Sequence, residues 1–384
     1  MNIYPSIKYI GVDDNDIDLF ESQYKVPNGI SYNSYLVLDE KIAIIDTADA
    51  RKAQEWWNNL SAALDGRTPH YLVSLHMEPD HSSLIAQVME RYPELKLVAS
   101  PKAIQMLPQF FGDVDIENRC IAMKEGDMLC LGKHTLTFMN APMVHWPEVL
   151  VCYDTYSKTL FSADAFGKFG SLSHDEPWDD EARRYYLNIC GKYGMQVQAL
   201  LKKAAALDIA RICPLHGPML SENLAHYVGL YDKWSSYTPE TDGVLVAYAS
   251  IYGGTTEAAI YLANLLQAAG KQVVTIDLCR CDMSHALSEA FRMSRLAVCA
   301  ASYDAGLFPP MHDFLYHLKI KNYQSRKVGI IENGSWAPTA GRVMRTMLEE
   351  MKNIEIAEPM VTIRSRMKKE DTVAIEQLAK ALLS

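Results

Sequence analysis

The chain has 384 residues, 49% hydrophobic and 22% charged, enough apolar material for two or three buried cores and too much for an extended disordered chain. Its formal net charge of -10 disfavours a nucleic-acid partner or an anionic membrane surface and leaves room for a basic carrier to dock. The eight cysteines form no C-x-x-C pair, which argues against a disulfide framework, a zinc ribbon and a rubredoxin-type iron site, and a reducing, cytoplasmic compartment is expected. Every long apolar stretch is interrupted by charge or turn residues, and Met1-Asn2-Ile3-Tyr4-Pro5-Ser6-Ile7-Lys8 lacks the apolar core of a signal peptide.

In chain order, Ser34–Leu38 and Ile42–Asp46 flank Asp39-Glu40-Lys41 and predict a hairpin. Residues 50–64 predict a helix in which Trp56 and Trp57 pack rather than react. The run Tyr71-Leu72-Val73-Ser74-Leu75 predicts a buried strand, and it delivers His76-Met77-Glu78-Pro79-Asp80-His81-Ser82. Four metal-capable side chains stand within six positions here, and Pro79 argues against a helix through them. In an extended segment His76, Glu78 and Asp80 share one side and His81 points the other way, so the spacing suggests two neighbouring ions. The bland alternative is a polar turn rich in histidine and acid. Ser82 is placed to cap a helix running to Arg91.

Three later strand ends repeat the pattern. Thr135–Met139 leads to His145, Thr159–Ser162 to Asp164, and Ile209–Pro214 to His216. Each alone reads as a routine loop residue; together with the first cluster they argue for a metal centre. His70, His134, His174, His226, His285, His312 and His317 lack this context and are expected on the surface or on helices.

The polar, Pro- and Gly-bearing segment Ser235–Gly243 predicts a domain boundary, giving domains 1–240 and 243–384. Beyond it, strands at 244–248, 273–276, 297–301, 328–331 and 354–361 alternate with helices at 256–269, 284–292, 311–320, 339–351 and 370–383. That alternation predicts an open, doubly wound parallel sheet, whose ligands bind outside the carboxyl ends of the strands. The first strand runs into Ser250-Ile251-Tyr252-Gly253-Gly254-Thr255, a small-residue loop suited to cradle phosphate at a helix N-terminus. It has no lysine after the glycines and is not G-x-G-x-x-G, so neither a Walker A loop nor direct dinucleotide binding is expected; a Gly-Gly turn opening a helix is the plain alternative.

The H-x-E-x-D-H run with His145, Asp164 and His216 resembles the metallo-β-lactamase-like domain of the flavodiiron proteins, and Gly29-Ile30-Ser31-Tyr32-Asn33-Ser34-Tyr35-Leu36 is similar to their G-x-S-Y-N-S-Y-L. The resemblance implies an αββα sandwich followed by a flavodoxin-like five-stranded parallel sheet. It implies one iron on His76, Glu78 and His145, a second on Asp80, His81 and His216, and Asp164 bridging them. Hydrolytic zinc relatives carry histidine where this chain has Glu78; a carboxylate suits iron better than a histidine-rich zinc pair. The glycine loop resembles the FMN-phosphate loop of flavodoxins. Ser302-Tyr303-Asp304-Ala305-Gly306-Leu307-Phe308-Pro309 and Glu332-Asn333-Gly334-Ser335-Trp336 stand where the family's ring-holding loops do. The first keeps the Gly-Leu-Phe-Pro end of the family's G-S-P-T-x-N-N-G-L-F-P but lacks its earlier Pro and both Asn; the second keeps the Trp of G-S-x-G-W and has Glu332 where relatives have glycine. A Glu332 carboxylate beside the flavin would disfavour its anionic reduced form.

The function implied is a flavodiiron oxidoreductase that reduces dioxygen to water, nitric oxide to nitrous oxide, or both, fed by rubredoxin, a flavin reductase or reduced deazaflavin. The resemblance further implies a head-to-tail homodimer or a dimer of dimers, with Trp336 near the flavin–iron junction. A two-metal hydrolase and a flavodoxin-like electron carrier are the alternatives.

Overall fold

Apolar runs set the framework of the N-terminal region: Ile44, Ile45, Leu72, Val73, Leu97 and Val98 are all fully enclosed, as interior parallel strands require. The computed structural model describes residues 2–112 and 117–384. The chain divides into two compact units, Met1–Tyr186 with Tyr193–Asp232, and Leu187–Lys192 with Lys233–Ser384.

The first unit holds two mixed sheets. One orders seven strands as Asn2–Tyr4, Ile7–Tyr9, Tyr35–Val37, Ala43–Ile45, Tyr71–Val73, Lys96–Ala99 and Cys120–Ala122. The predicted hairpin is there, antiparallel with Tyr35 opposite Ile45, and the strands from Ala43–Ile45 onward run parallel. The other orders five: Met128–Cys130, Thr135–Asn140, Leu150–Asp154, Thr159–Phe161 and Arg211–Cys213. The sheets meet where the Tyr35 and Phe161 rings lie 5.4 Å apart and where Leu150 N–H donates to the Leu75 carbonyl at 3.0 Å. Helices Ala53–Leu64, Ile85–Arg91 and Pro101–Phe111 alternate with the parallel strands of the larger sheet. Helix Ala53–Leu64 buries Trp56, Leu60, Ala63 and Leu64, a stripe at helical spacing.

The second unit is a parallel sheet in the order Gln272–Asp277, Thr241–Ala249, Met293–Tyr303, Lys327–Asn333, then Glu355–Ile356 and Val361–Ile363. This 2-1-3-4-5 order puts the switch point between the first and third strands in sequence. Helices Gly254–Ala268 and Lys369–Leu383 share a core in which Leu262, Leu266, Leu378 and Leu382 pack with Val244, Val246 and Ile331.

Four local expectations are corrected. The predicted strand at 354–361 is two short strands, because Pro359 cannot donate to the ladder between them. Pro79 does not exclude a helix from the cluster: it opens the short helix Pro79–Ser82, since a first-turn N–H has no helical partner to lose. Ser82 therefore lies inside that turn, its hydroxyl on the Met77 carbonyl at 2.8 Å, and does not cap Ile85–Arg91. His134, expected at the surface, is buried, with Nδ1 2.7 Å from Asp154 Oδ2 and Nε2 2.6 Å from Ser6 Oγ.

Candidate metal centre and cofactor cavity

The metal-capable residues sit where strands of both sheets of the first unit end. Asp46, just beyond strand Ala43–Ile45, accepts from the amides of Leu75 (2.8 Å) and His76 (3.3 Å) and so fixes the bend that follows Tyr71–Val73. His76 and Glu78 leave that bend, and the helical turn Pro79–Ser82 presents Asp80 and His81. His145 follows Thr135–Asn140, Asp164 follows Thr159–Phe161, and His216 follows Arg211–Cys213.

These residues form two adjoining groups, His76, Glu78, His145 and Asp164, and Asp80, His81 and His216. In the first, Glu78 Oε2 lies 2.8 Å from His145 Nε2 and 3.2 Å from His76 Nε2, and Asp164 Oδ2 lies 3.1 Å from His145 Nε2. In the second, His81 Nε2 is 3.0 Å from His216 Nε2 and 3.2 Å from Asp80 Oδ2. Asp164 turns its other oxygen, Oδ1, toward His81 Nε2 at 3.5 Å and His216 Nε2 at 3.9 Å. One carboxylate thus faces both groups.

The donor set fits a pair of cations. Both Asp80 oxygens and Asp164 Oδ1 are buried without a hydrogen-bond partner, a costly state for charged acceptors. The facing Nε2 atoms of His81 and His216 repel as two lone pairs unless a proton or a metal lies between them. Burial opposes ionisation of Asp164, but the charges of His76, His145, His81 and His216 outweigh it and hold the carboxyl well below the usual range. The same contest lowers Asp80 and Glu78, so all three carboxylates are charged at neutral pH. Burial works against protonation of His145, yet Asp164 and Glu78 outweigh it and push the imidazole up to about 9. A metal must therefore displace a proton there, and its affinity falls as the medium is acidified.

Outer contacts aim the ring nitrogens. His216 Nδ1–H donates to the Ser31 carbonyl at 2.7 Å, and His76 Nδ1 pairs with Glu148 Oε1 at 2.8 Å; both leave Nε2 pointing inward. Glu148 also accepts from the Met77 amide at 2.9 Å. Sequence reasoning missed Glu148, whose one signal is its place three residues after His145. The Gly29–Leu36 motif grips the His216 loop. Asn33 Nδ2 donates to the carbonyls of Pro214 (2.8 Å) and Gly217 (2.7 Å), Tyr35 Oη donates to Pro214 (2.6 Å), and Gly217 N–H donates to Ser31 Oγ (2.7 Å). Rings close the walls: Trp146 lies 5.3 Å from His76, and Phe20 lies 5.3 Å from His216.

In the second unit a cavity of 510 Å³ opens at the carboxyl ends of Thr241–Ala249, Met293–Tyr303 and Lys327–Asn333, where the topology places a ligand. Of the residues expected to hold a flavin, Ser250, Ile251, Tyr252, Gly254 and Thr255 line it from the first loop and Ser302, Tyr303 and Asp304 from the second. Asn333, Gly334, Ser335 and Trp336 line it from the third. Gly253 and Gly306 do not line it. Gly253 instead takes φ +88° as N-cap of helix Gly254–Ala268, its N–H on Ser250 Oγ at 3.1 Å, and Gly306 pairs with Tyr303 to turn the second loop back.

Glu332, whose place beside a flavin the sequence left open, points elsewhere. It is buried, with Oε2 accepting from Gly341 N–H at 2.7 Å and Oε1 from Thr362 Oγ1 at 2.8 Å. The carboxylate on the cavity wall is Asp304. Ser365 and Arg366, also on the wall, come from a loop that sequence reasoning left unread.

Comparison with known proteins agrees with this architecture. Residues 30–217 match the family model described as ODP family beta lactamase. A nitric oxide reductase of Moorella thermoacetica is 27% identical, with 94% of this chain and 92% of that protein aligned. Diflavin flavoprotein A 1 of Synechocystis is 31% identical over 70% of this chain and 48% of its own length. Against the diflavin flavoproteins of Synechocystis and Nostoc the chain spans between 46% and 63% of their length. The rubredoxin oxygen:oxidoreductase of Desulfovibrio gigas superposes with a TM-score of 0.93 at 25% identity, covering 100% of this chain and 97% of that one. Such agreement along the whole chain extends to both halves, a metallo-β-lactamase-like unit and a flavodoxin-like one. The chain belongs to the flavodiiron protein family.

Proposed function

We propose that this chain is a flavodiiron reductase that passes electrons from FMN to a non-haem di-iron centre and reduces dioxygen to water, nitric oxide to nitrous oxide, or both. The observation that carries the reading is Asp164, which offers one oxygen to each of two adjoining ligand groups. The names of the relatives support both gases, a nitric oxide reductase and an oxygen oxidoreductase.

His76, Glu78 and His145 would hold one iron and Asp80, His81 and His216 the other, with Asp164 between them; the cavity of the second unit would hold FMN. When bound, the metal pair supplies two adjacent Lewis-acidic redox centres for a small gas and the flavin supplies their electrons. The chain's own residues do the rest. Glu78 adds a hard oxygen donor that favours iron over zinc. Three carboxylates offset most of the charge of two divalent ions, which keeps the buried site affordable to the fold. Glu148 and the Ser31 carbonyl hold His76 and His216 in the tautomer that offers Nε2. Trp146 and Phe20 cover imidazole edges against water. Ser250, Gly254 and Thr255 surround the start of helix Gly254–Ala268, where free amides favour phosphate.

In this reading residues 1–240 carry the metal centre and residues 243–384 the flavin. The working unit is a head-to-tail homodimer or a dimer of dimers, with Trp336 near the junction. Its support is that Tyr252 and Trp336, on the cavity wall, are 99% and 89% exposed, aromatic surface that a partner would cover. The donor is rubredoxin, a flavin reductase or reduced deazaflavin, and the compartment is cytoplasmic, supported by eight cysteines that are all free. No helix among the described residues is long and apolar enough to cross a membrane.

Metal analysis with a visible spectrum of the purified protein tests the assignment. Two irons and one flavin per chain are expected. Zinc without flavin would favour a two-metal hydrolase, and flavin without iron an electron carrier; Glu78 and the cavity argue against the first, and the two complete ligand groups against the second.

A further inference from the structure

The cavity that the flavin reading fills is almost uncharged. Of the residues that line it, only Asp304 and Arg366 carry charge, and they come from different loops. Asp304 lies on the loop after Met293–Tyr303, with Tyr303 beside it; Arg366 follows the fifth strand position, three residues after Val361–Ile363.

The loop that carries Arg366 is fixed from three directions. Asn333 Oδ1 accepts from the Ser365 amide at 2.9 Å, Asn333 Nδ2 donates to the Ser365 carbonyl at 2.8 Å, and the Ser335 and Ser365 hydroxyls lie 2.6 Å apart. The same carbonyl crosses so closely over Gly254 that a Cβ there would collide with it. Asn333, placed by resemblance among flavin ligands, thus acts on this loop and clamps it against the first residue of helix Gly254–Ala268. The guanidinium of Arg366 consequently stands over the first turn of that helix, with Nε 3.7 Å from Glu257 Oε2. At that distance it is an ion pair rather than a hydrogen bond, and the Arg366 side chain is 84% exposed.

We propose that Arg366 reads the phosphate of the bound flavin, making the site select the phosphomonoester over its dephosphorylated form. The inference rests on the flavin reading above. A phosphomonoester carries about -1.5 to -2 charges at neutral pH, and uncharged serines, threonines and amides solvate it without neutralising it. A guanidinium adds charge and paired N–H donors matched to phosphate oxygens. The placement also orients the ligand: phosphate toward the helix start and Arg366, ring toward Tyr303, Asp304 and Trp336.

The test titrates the flavin-stripped full-length chain with FMN and with riboflavin, following flavin fluorescence, for wild type, Arg366→Ala, Arg366→Lys and Glu257→Gln. Arg366→Ala is expected to raise the Kd for FMN at least tenfold while the Kd for riboflavin moves less than twofold. Arg366→Lys should recover part of the loss, and Glu257→Gln should bind FMN at least as tightly as wild type. The FMN loss in Arg366→Ala should shrink as salt is raised. An unchanged FMN Kd in Arg366→Ala, or equal weakening of FMN and riboflavin, overturns the proposal and leaves the flavin reading standing. A wild-type chain that binds neither flavin overturns both. Unchanged iron content and circular dichroism establish that each variant is folded.

Discussion

Asp164→Asn is expected to lower iron from two per chain to one or none and to cut gas turnover roughly 100-fold or more, beyond the 10–100-fold that loss of an outer partner of a ligand brings. The reason is geometric. Asp164 gives Oδ2 to the His76–His145 side and Oδ1 to the His81–His216 side, so an amide must present N–H₂ to one of them. An amide nitrogen is no metal ligand, and the change also removes one of three charges offsetting the ions. Because the second unit is untouched, the flavin spectrum should match that of wild type. Metal content by plasma emission, beside the flavin absorbance of the same sample, is the measurement. Two irons retained with full turnover would show that Asp164 does not bridge.

Gly254→Ala is the mirror experiment. The new methyl would collide with the Ser365 carbonyl and press on Asn333 Nδ2, 3.2 Å from the added carbon, so the loop carrying Ser365 and Arg366 must lift off the helix start. Overpacking of this kind costs about 1–3 kcal/mol where the surroundings cannot yield. FMN should weaken at least tenfold while both irons stay. The adjacent Gly253 is a contrast: nothing lies within 4 Å of a Cβ there, and only its φ of +88° opposes a side chain. Mixing the two variants then asks how electrons travel. With FMN held below the Kd of Gly254→Ala, each homodimer turns over poorly; in a head-to-tail dimer the mixed dimer recovers activity, since one sound flavin faces one sound iron site. A wild-type chain paired with a chain carrying both changes should be inactive. The opposite pattern would place electron transfer within one chain.

Residue chemistry made the candidate ligands legible in the sequence, because a metal-capable residue is named by its side chain and by its place after an apolar strand. His76, Glu78, Asp80, His81, His145, Asp164 and His216 therefore needed no tertiary knowledge to be found, only to be joined. The glycine loop at Ser250–Thr255 was legible for a similar reason, being local. What could not be read depends on contacts between distant parts of the chain. Glu148 meets His76 across 72 positions, and Ser31 meets His216 across 185. The path of the Ser365–Arg366 loop over Gly254 follows from strand order rather than from any local pattern. The direction of Glu332 stayed open because alternation along a strand does not say which buried donor, here Gly341 N–H, will claim a carboxylate. The turn at Pro79 was misjudged by taking proline as a helix stop where it was a helix start.

The most direct measurement is gas consumption by the anaerobic, iron- and FMN-loaded protein, photoreduced and then mixed with dioxygen or with nitric oxide in a closed cell with an electrode. The account predicts rapid uptake of at least one gas, with water or nitrous oxide as product and the flavin band returning as reductant is spent. Removal of either FMN or iron should reduce that uptake to the rate of free reduced flavin. Uptake of neither gas by a fully loaded protein, or uptake unchanged after the iron is removed, would contradict it.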